Sequence, residues 1–123
     1  MSARVLVVDD IITNVKLLEA KLSSEYFDVV TALNGPDAIA ICERGEADIV
    51  LLDVMMPGMN GFEVCQAVRA DEALAGVRIL MLSAKGRDTD IAKGSAMGAD
   101  AYMTKPFSTR ELAEKVRDLL SAA

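Results

Sequence analysis

The chain has 123 residues, 52% hydrophobic and 26% charged, which fits one soluble domain able to bury its own core and leaves no room for two. Against 19 acidic residues stand 13 lysines and arginines, a net charge of −6 with no basic stripe, so direct nucleic-acid binding is not expected. There is no histidine, which excludes histidine general bases, Ser-His-Asp and Cys-His arrangements, histidine zinc sites and a phosphohistidine on this chain.

Five short apolar runs stand out in chain order: Arg4–Val8, Asp28–Ala32, Asp48–Leu52, Val77–Leu82 and Asp100–Met103. The first, third and fourth are almost continuously Val, Ile and Leu, as strands buried on both faces of a parallel sheet read. The second and fifth are shorter and more polar, as strands nearer a sheet edge. Between the runs lie segments of helical period. Val15, Leu18 and Leu22 mark the first, within Asn14–Leu22, with Thr13 or Asn14 as candidate caps; Ala38, Ile41 and Cys42 mark the second. Phe62, Cys65 and Val68 mark the third, and Leu112, Val116, Leu119 and Leu120 the fifth. Asn60 with Glu63, and Ser108 with Glu111, have capping-box spacing. The fourth, about Asp88–Met97, carries Gly94 in its middle and should be loosely anchored. Strand and helix alternate throughout, with short loops. That order predicts an α/β, doubly wound (βα)5 domain with a five-stranded parallel sheet.

Cys42 and Cys65 lie far apart inside helical segments without CxxC spacing and read as small buried apolar residues in a reducing compartment. No apolar run approaches the roughly 20 residues of a membrane span. The N-terminus lacks the positive region and apolar stretch of a signal peptide. A cytoplasmic protein without membrane insertion is expected.

Ligands of doubly wound sheets sit beyond the carboxyl ends of the strands. Asp9 and Asp10 follow the first run and Asp53 the third; Ser83 closes the fourth and Lys105–Pro106 follows the fifth. Three carboxylates converging on one rim would repel one another unless something cationic sat among them. Oxygen-only ligands favour a hard ion such as Mg²⁺. A carboxylate beside such an ion is a nucleophile toward phosphorus, and Ser83 and Lys105 have the chemistry to stabilise a transferred phosphoryl group.

The segments VLVVDD ending at Asp10, LLDVMMPGMNG through Asp53, Leu82-Ser83-Ala84 and Thr104-Lys105-Pro106-Phe107 resemble the response-regulator receiver domains of two-component signalling. The resemblance runs from about Ala3 to Leu120, and the first 65 residues look especially like the first receiver of a cell-cycle diguanylate cyclase regulator. It implies the flavodoxin-like strand order 2-1-3-4-5 and one receiver domain over residues 1–123. By position, Asp53 matches the phosphoacceptor, Asp10 the direct metal ligand, Asp9 its water-mediated partner, and Met55 the residue lending a backbone carbonyl to Mg²⁺. Ser83 matches the switch hydroxyl, Lys105 the lysine that pairs with the phosphoryl group, and Tyr102 the aromatic whose ring swings inward. Lys105–Pro106 matches a cis peptide bond.

The implied function is a switch, not a turnover enzyme: it catalyses only its own phosphotransfer and slow autodephosphorylation. The donor is a sensor histidine kinase or histidine phosphotransfer protein acting in trans. The output is a downstream effector protein or a fused domain, with a homodimer on phosphorylation as a further expectation. Met55 and Lys85, two positions beyond Asp53 and Ser83, should hinder hydrolytic water and lengthen the phosphoryl lifetime.

The alternative is a metal-dependent phosphohydrolase that forms an aspartyl phosphate. Such hydrolases usually carry a second aspartate two residues on, where this chain has Met55, and cap insertions for which 123 residues leave no room. A flavin module of the same topology would want a hydroxyl- and glycine-rich loop after the first strand instead of Asp9-Asp10-Ile11-Ile12. An interaction module without phosphorylation is a further class, though the acidic site has no missing member to suggest it.

Overall fold

The computed structural model describes residues 3–84 and 88–121. Strands β1 (Arg4–Val8), β2 (Asp28–Ala32), β3 (Ile49–Asp53), β4 (Arg78–Ser83) and β5 (Ala101–Thr104) alternate with helices α1 (Ile12–Ser23), α2 (Gly35–Glu43), α3 (Gly61–Ala70), α4 (Asp88–Ala96) and α5 (Thr109–Ser121). A 3-10 turn, Glu72–Leu74, precedes β4. Every strand pair is parallel and the order is β2-β1-β3-β4-β5, as expected. The chain leaves β1 toward β2 and then crosses back to β3. The loops following β1 and β3 therefore diverge, which opens a crevice at their carboxyl ends.

Apolar continuity in β1, β3 and β4 reflects burial on two faces. Leu6, Val8, Val50, Leu52, Ile79 and Met81 face one core, shared with Ala38, Ile41, Val64, Cys65 and Val68 of α2 and α3. The alternate residues Val5, Val7, Ile49, Leu51, Leu80 and Leu82 face the other, with Leu22 of α1 and Leu112 and Val116 of α5. Cys42 and Cys65 are buried free thiols, as their small apolar character predicts. No helix of the described residues is long and apolar enough to cross a membrane.

Three strands begin one residue later than their apolar runs, each with local bonds at its start. The Asp48 carboxylate accepts the Arg4 backbone N–H at 2.8 Å and its guanidinium at 3.1 Å, in addition to the backbone bonds Asp48 makes to Arg4 and Arg78 at the sheet entrance. Asp100 does the same before β5, accepting the Ile79 N–H and the Arg69 guanidinium, both at 2.8 Å. Val77 closes the 3-10 turn by donating its N–H to the Leu74 carbonyl. Side-chain bonds of this kind from Asp48 and Asp100 supplement the backbone bonds at the strand starts.

Helix starts follow the capping signals closely. Asn60 and Glu63 form the reciprocal box at α3, with bonds of 3.0 and 3.1 Å. Ser108 accepts the Glu111 N–H at 3.0 Å at α5, and Asn34 accepts that of Asp37 at 2.8 Å at α2. The first helix differs: Ile11 stands at its N-cap without a side-chain bond, and neither Thr13 nor Asn14 caps it.

At Gly61 the α3 start lies directly on the end of β3. A Cβ there would stand 2.5 Å from the Asp53 carbonyl oxygen and 2.8 Å from the Val54 Cα, both backbone atoms that cannot step aside. A Cβ at Gly76 meets nothing within 4 Å. Gly61→Ala should therefore lower the urea-unfolding free energy by about 3 kcal/mol, with Gly76→Ala within about 0.5 kcal/mol of the parent. Equal midpoints for the two variants would show that this contact does not constrain the fold.

Candidate functional site

Asp9 follows β1 directly, Asp10 is next, and Asp53 is the last residue of β3. One carboxylate oxygen from each lies within 4.8 Å of the others. Asp9 is only 3% exposed and Asp53 8%, whereas Asp10 stands at the solvent edge. The fifth strand sends Lys105 into the same space: its Nζ is 3.6 Å from Asp53 Oδ1 and 3.9 Å from Asp9 Oδ2. Lys105–Pro106 is cis, as the sequence resemblance implies. The Lys105 N–H donates to the Ser83 carbonyl at 2.7 Å, which joins the ends of β4 and β5, and Ser83 is buried at 1% exposure.

Backbone bonds fasten the segment after β3. The Val54 N–H donates to the Leu82 carbonyl at 3.1 Å and the Gly61 N–H to the Val54 carbonyl at 3.0 Å. Burial pushes the Asp53 carboxyl above the usual carboxylate range; Lys105 opposes the rise, Asp9 and Asp10 reinforce it, and the Met55 backbone N–H opposes it by donating to the carboxylate. Desolvation and like charge thus outweigh the single ammonium.

An all-oxygen donor set with one buried and one solvent-edge aspartate beside Asp53 fits a hard divalent cation that keeps part of its water shell. The chemistry of the donors, not their number alone, supports this, because nitrogen and sulfur ligands are absent among the described residues of the cluster. Beside Asp53 stands the Lys105 ammonium, and the ends of β4 and β5 that carry Ser83 and Lys105 are joined to each other.

Asp9, Asp10, Asp53, Ser83 and Lys105 are thus gathered at one end of the sheet, as their places after the strands predict. Met55 contributes its N–H to Asp53, while its side chain is 59% exposed. Tyr102 lies half-buried on β5 against the core under α4, with its Cδ2 3.4 Å from where a Cβ on Gly94 would be. Lys85 lies outside the described residues.

Two features escaped sequence reasoning. Asn14 is a second holder of Asp9: its Nδ2 donates to Asp9 Oδ2 at 3.2 Å while the Ile11 N–H donates to Oδ1 at 2.9 Å. Its place one turn into α1, off the Val15-Leu18-Leu22 stripe, is the signal that could have found it. Ile11, Ile12 and Leu17, at and just before the first turns of α1, are exposed apolar residues after β1, and Leu17 is likewise off the buried stripe.

The family model of the response regulator receiver domain matches residues 5–117, and the chain belongs to that family. The response regulator PleD of Caulobacter vibrioides is 47% identical over 119 residues, 97% of this chain and 26% of that protein. The chain therefore spans about a quarter of the length of the curated relatives it matches. Among solved structures, chemotaxis protein CheY4 of Vibrio cholerae is 32% identical with a TM-score of 0.91, covering 97% of this chain and 99% of that one. The CheX–CheY–BeF3–Mg²⁺ complex of Borrelia burgdorferi includes a chain 28% identical, with a TM-score of 0.89 and coverage of 98% and 90%.

A carboxyl whose folded pKa is raised stabilises the protein below its unfolded value, and that contribution is lost as pH rises through the folded value. Ionised Asp53 in the metal-free protein at neutral pH is therefore a net cost, which an amide lacks. Asp53→Asn should melt above the parent in EDTA at pH 7 by calorimetry, and the gap should narrow as the pH is lowered. A variant melting below the parent would contradict the burial argument.

Proposed function

We propose that residues 1–123 form one receiver domain whose Asp53 accepts a phosphoryl group from a phosphohistidine of a sensor histidine kinase or histidine phosphotransfer protein. The observation that carries this is the placement of Asp53: buried, at the end of the central strand, beside Asp9 and Asp10 and 3.6 Å from the Lys105 ammonium. Membership of the receiver family supports it, as does the relative solved with BeF3 and Mg²⁺. Residues 1–123 contain no histidine, so a phosphohistidine donor lies outside them.

An Asp53 carboxylate oxygen attacks phosphorus, the P–N bond to the donor imidazole breaks, and the bonding pair leaves with the imidazole nitrogen. Mg²⁺, when bound, would offset the gathered negative charge; Asp10 would hold it directly and Asp9 through water, with Asp53 and the Met55 carbonyl as the remaining protein donors. Lys105 pairs with the incoming phosphoryl oxygens, and Ser83 moves to donate its hydroxyl to one of them. Tyr102 then turns into the space that Ser83 leaves. This is a local electrostatic event biasing a two-state element, the α4 and β5 region.

The exposed apolar residues Ile11, Ile12 and Leu17 are suited to the donor, because they exclude water beside the acidic centre without adding charge. The output partner is an effector protein or an output domain in the same polypeptide, and phosphorylated copies form a homodimer. The setting is the cytoplasm, where reduced thiols and kinases of this class are found. Exposed Met55 hinders water attack on the phosphoryl group.

Intact mass after incubation with Mg²⁺ and acetyl phosphate tests the reading. The parent should gain one phosphoryl group, and neither Asp53→Asn nor the parent in EDTA should. Steady phosphate release without accumulation would favour the phosphohydrolase instead. Met55→Asn should shorten the lifetime of the modified species, and an unchanged lifetime would remove Met55 from that role. Asn14→Ala should weaken Mg²⁺ binding by about tenfold in calorimetric titration, as loss of a group orienting a ligand does; parent-like affinity would make Asn14 merely structural.

A further inference from the structure

We propose that the groove between the β3–α3 loop and α4 is a docking site for a protein partner that inserts one large apolar side chain and places a carboxylate on Lys93. The groove holds about 480 Å³ and is walled by Val54, Met55, Met56, Pro57 and Phe62, with Lys93 as its one charged residue among the described residues. It lies on the α4 side of the rim, away from Ile11, Ile12 and Leu17.

Charge complementarity identifies the occupant. The Lys93 ammonium sits 4.7 Å from the centroid of the Phe62 ring, which is itself only 8% exposed. Among the described residues Lys93 has no carboxylate at ion-pair distance. The chain carries a net charge of −6, so this ammonium is a local positive point beside a rim that holds three aspartates. A ring contact orients an ammonium but leaves its outer side in water, worth about 0.5–1 kcal/mol at such sites. That outer side is open to a partner's carboxylate.

The apolar wall specifies the other half of the ligand. Met55 keeps 59% of its surface exposed beside the buried Met56 and Phe62, so an apolar lining stands uncovered. Unbranched thioethers adapt to the shape of an inserted side chain. The groove is open along one side, and small-molecule sites usually bury 70–90% of their ligand, so a side chain presented by a protein surface suits it better. A helix carrying the anchor and an Asp or Glu three or four residues away would set the two groups about 5–6 Å apart at their Cβ atoms.

The test uses the unphosphorylated full chain, so its outcome is independent of whether Asp53 accepts phosphate. Peptides are selected from a random phage-displayed library on the immobilised folded protein, synthesised, and measured by fluorescence anisotropy. Expected binders pair a large apolar residue with an acidic one at helical spacing. Lys93→Gln should weaken them by about fivefold, Lys93→Glu by about tenfold or more, and Lys93→Arg should retain binding. Met55→Ser should weaken them by removing the apolar wall, while Leu17→Ser on α1 should leave them unchanged. Failure to enrich any binder, binders without a carboxylate, or affinities indifferent to Lys93→Glu and Met55→Ser would overturn the proposal.

Discussion

Holding the oxygens of Asp9, Asp10 and Asp53 within 4.8 Å of one another, two of these residues nearly fully buried, is the constraint on which the rest of this structure depends. Unaided, three carboxylates would separate or take up a proton. They stay because each is carried by the backbone of a buried central strand or the residues immediately after it. Displacing one would mean disturbing Val5–Val8 or Ile49–Leu52, all at 1% exposure or less. The repulsion is small beside the apolar burial that opposes it, so the sheet remains intact.

What surrounds the carboxylates is built of backbone contacts. The Val54 and Gly61 amides, and that of Lys105, tie the ends of β3, β4 and β5 to one another. Such bonds do not depend on flexible side chains, and among the described residues the long side chain that reaches the carboxylates is Lys105. At 3.6 and 3.9 Å from the carboxylates it shares its charge between Asp53 and Asp9 without closing a tight pair with either. An ammonium so placed can move onto a newly arrived anionic group without first breaking a strong bond.

Most of this arrangement was legible in the sequence because each functional residue falls at a strand end and strand ends are easy to find. Continuous Val-Ile-Leu runs gave β1, β3 and β4, and the residue after each was thereby placed on one rim. Strand starts were less legible: Asp48 and Asp100 add carboxylate bonds to the backbone bonds at the sheet entrance, and no apolar pattern carries that information. Asn14 was hidden for a related reason. Its role is a contact to Asp9 across five residues of a loop and a first helical turn, and α1 has no side-chain cap to mark its start. The Met55–Phe62–Lys93 groove needs the distance between two helices, which spacing within either one does not contain.

The fold is also unevenly held, and the unevenness has a direction. Helix α3 buries Gly61, Phe62, Val64, Cys65 and Val68, whereas α4 buries only Gly94. The attachments of α4 lie at its middle and far end. Lys93 rests on Phe62, and the Cys65 thiol donates to the Met97 carbonyl at 3.4 Å. Arg69 donates to the Gly98 carbonyl and to Asp100, each at 2.8 Å. Among the described residues, the first turn of α4 buries no side chain. In the proposed switch, a displacement at Ser83 therefore meets the least resistance at the start of α4 and the most at its end, so the helix would tilt about its Arg69-held terminus. Gly94 suits such a motion: a Cβ there would sit 3.1 Å from Met81 Sδ and 3.4 Å from the Tyr102 ring, and its absence leaves the ring and the helix free to pass.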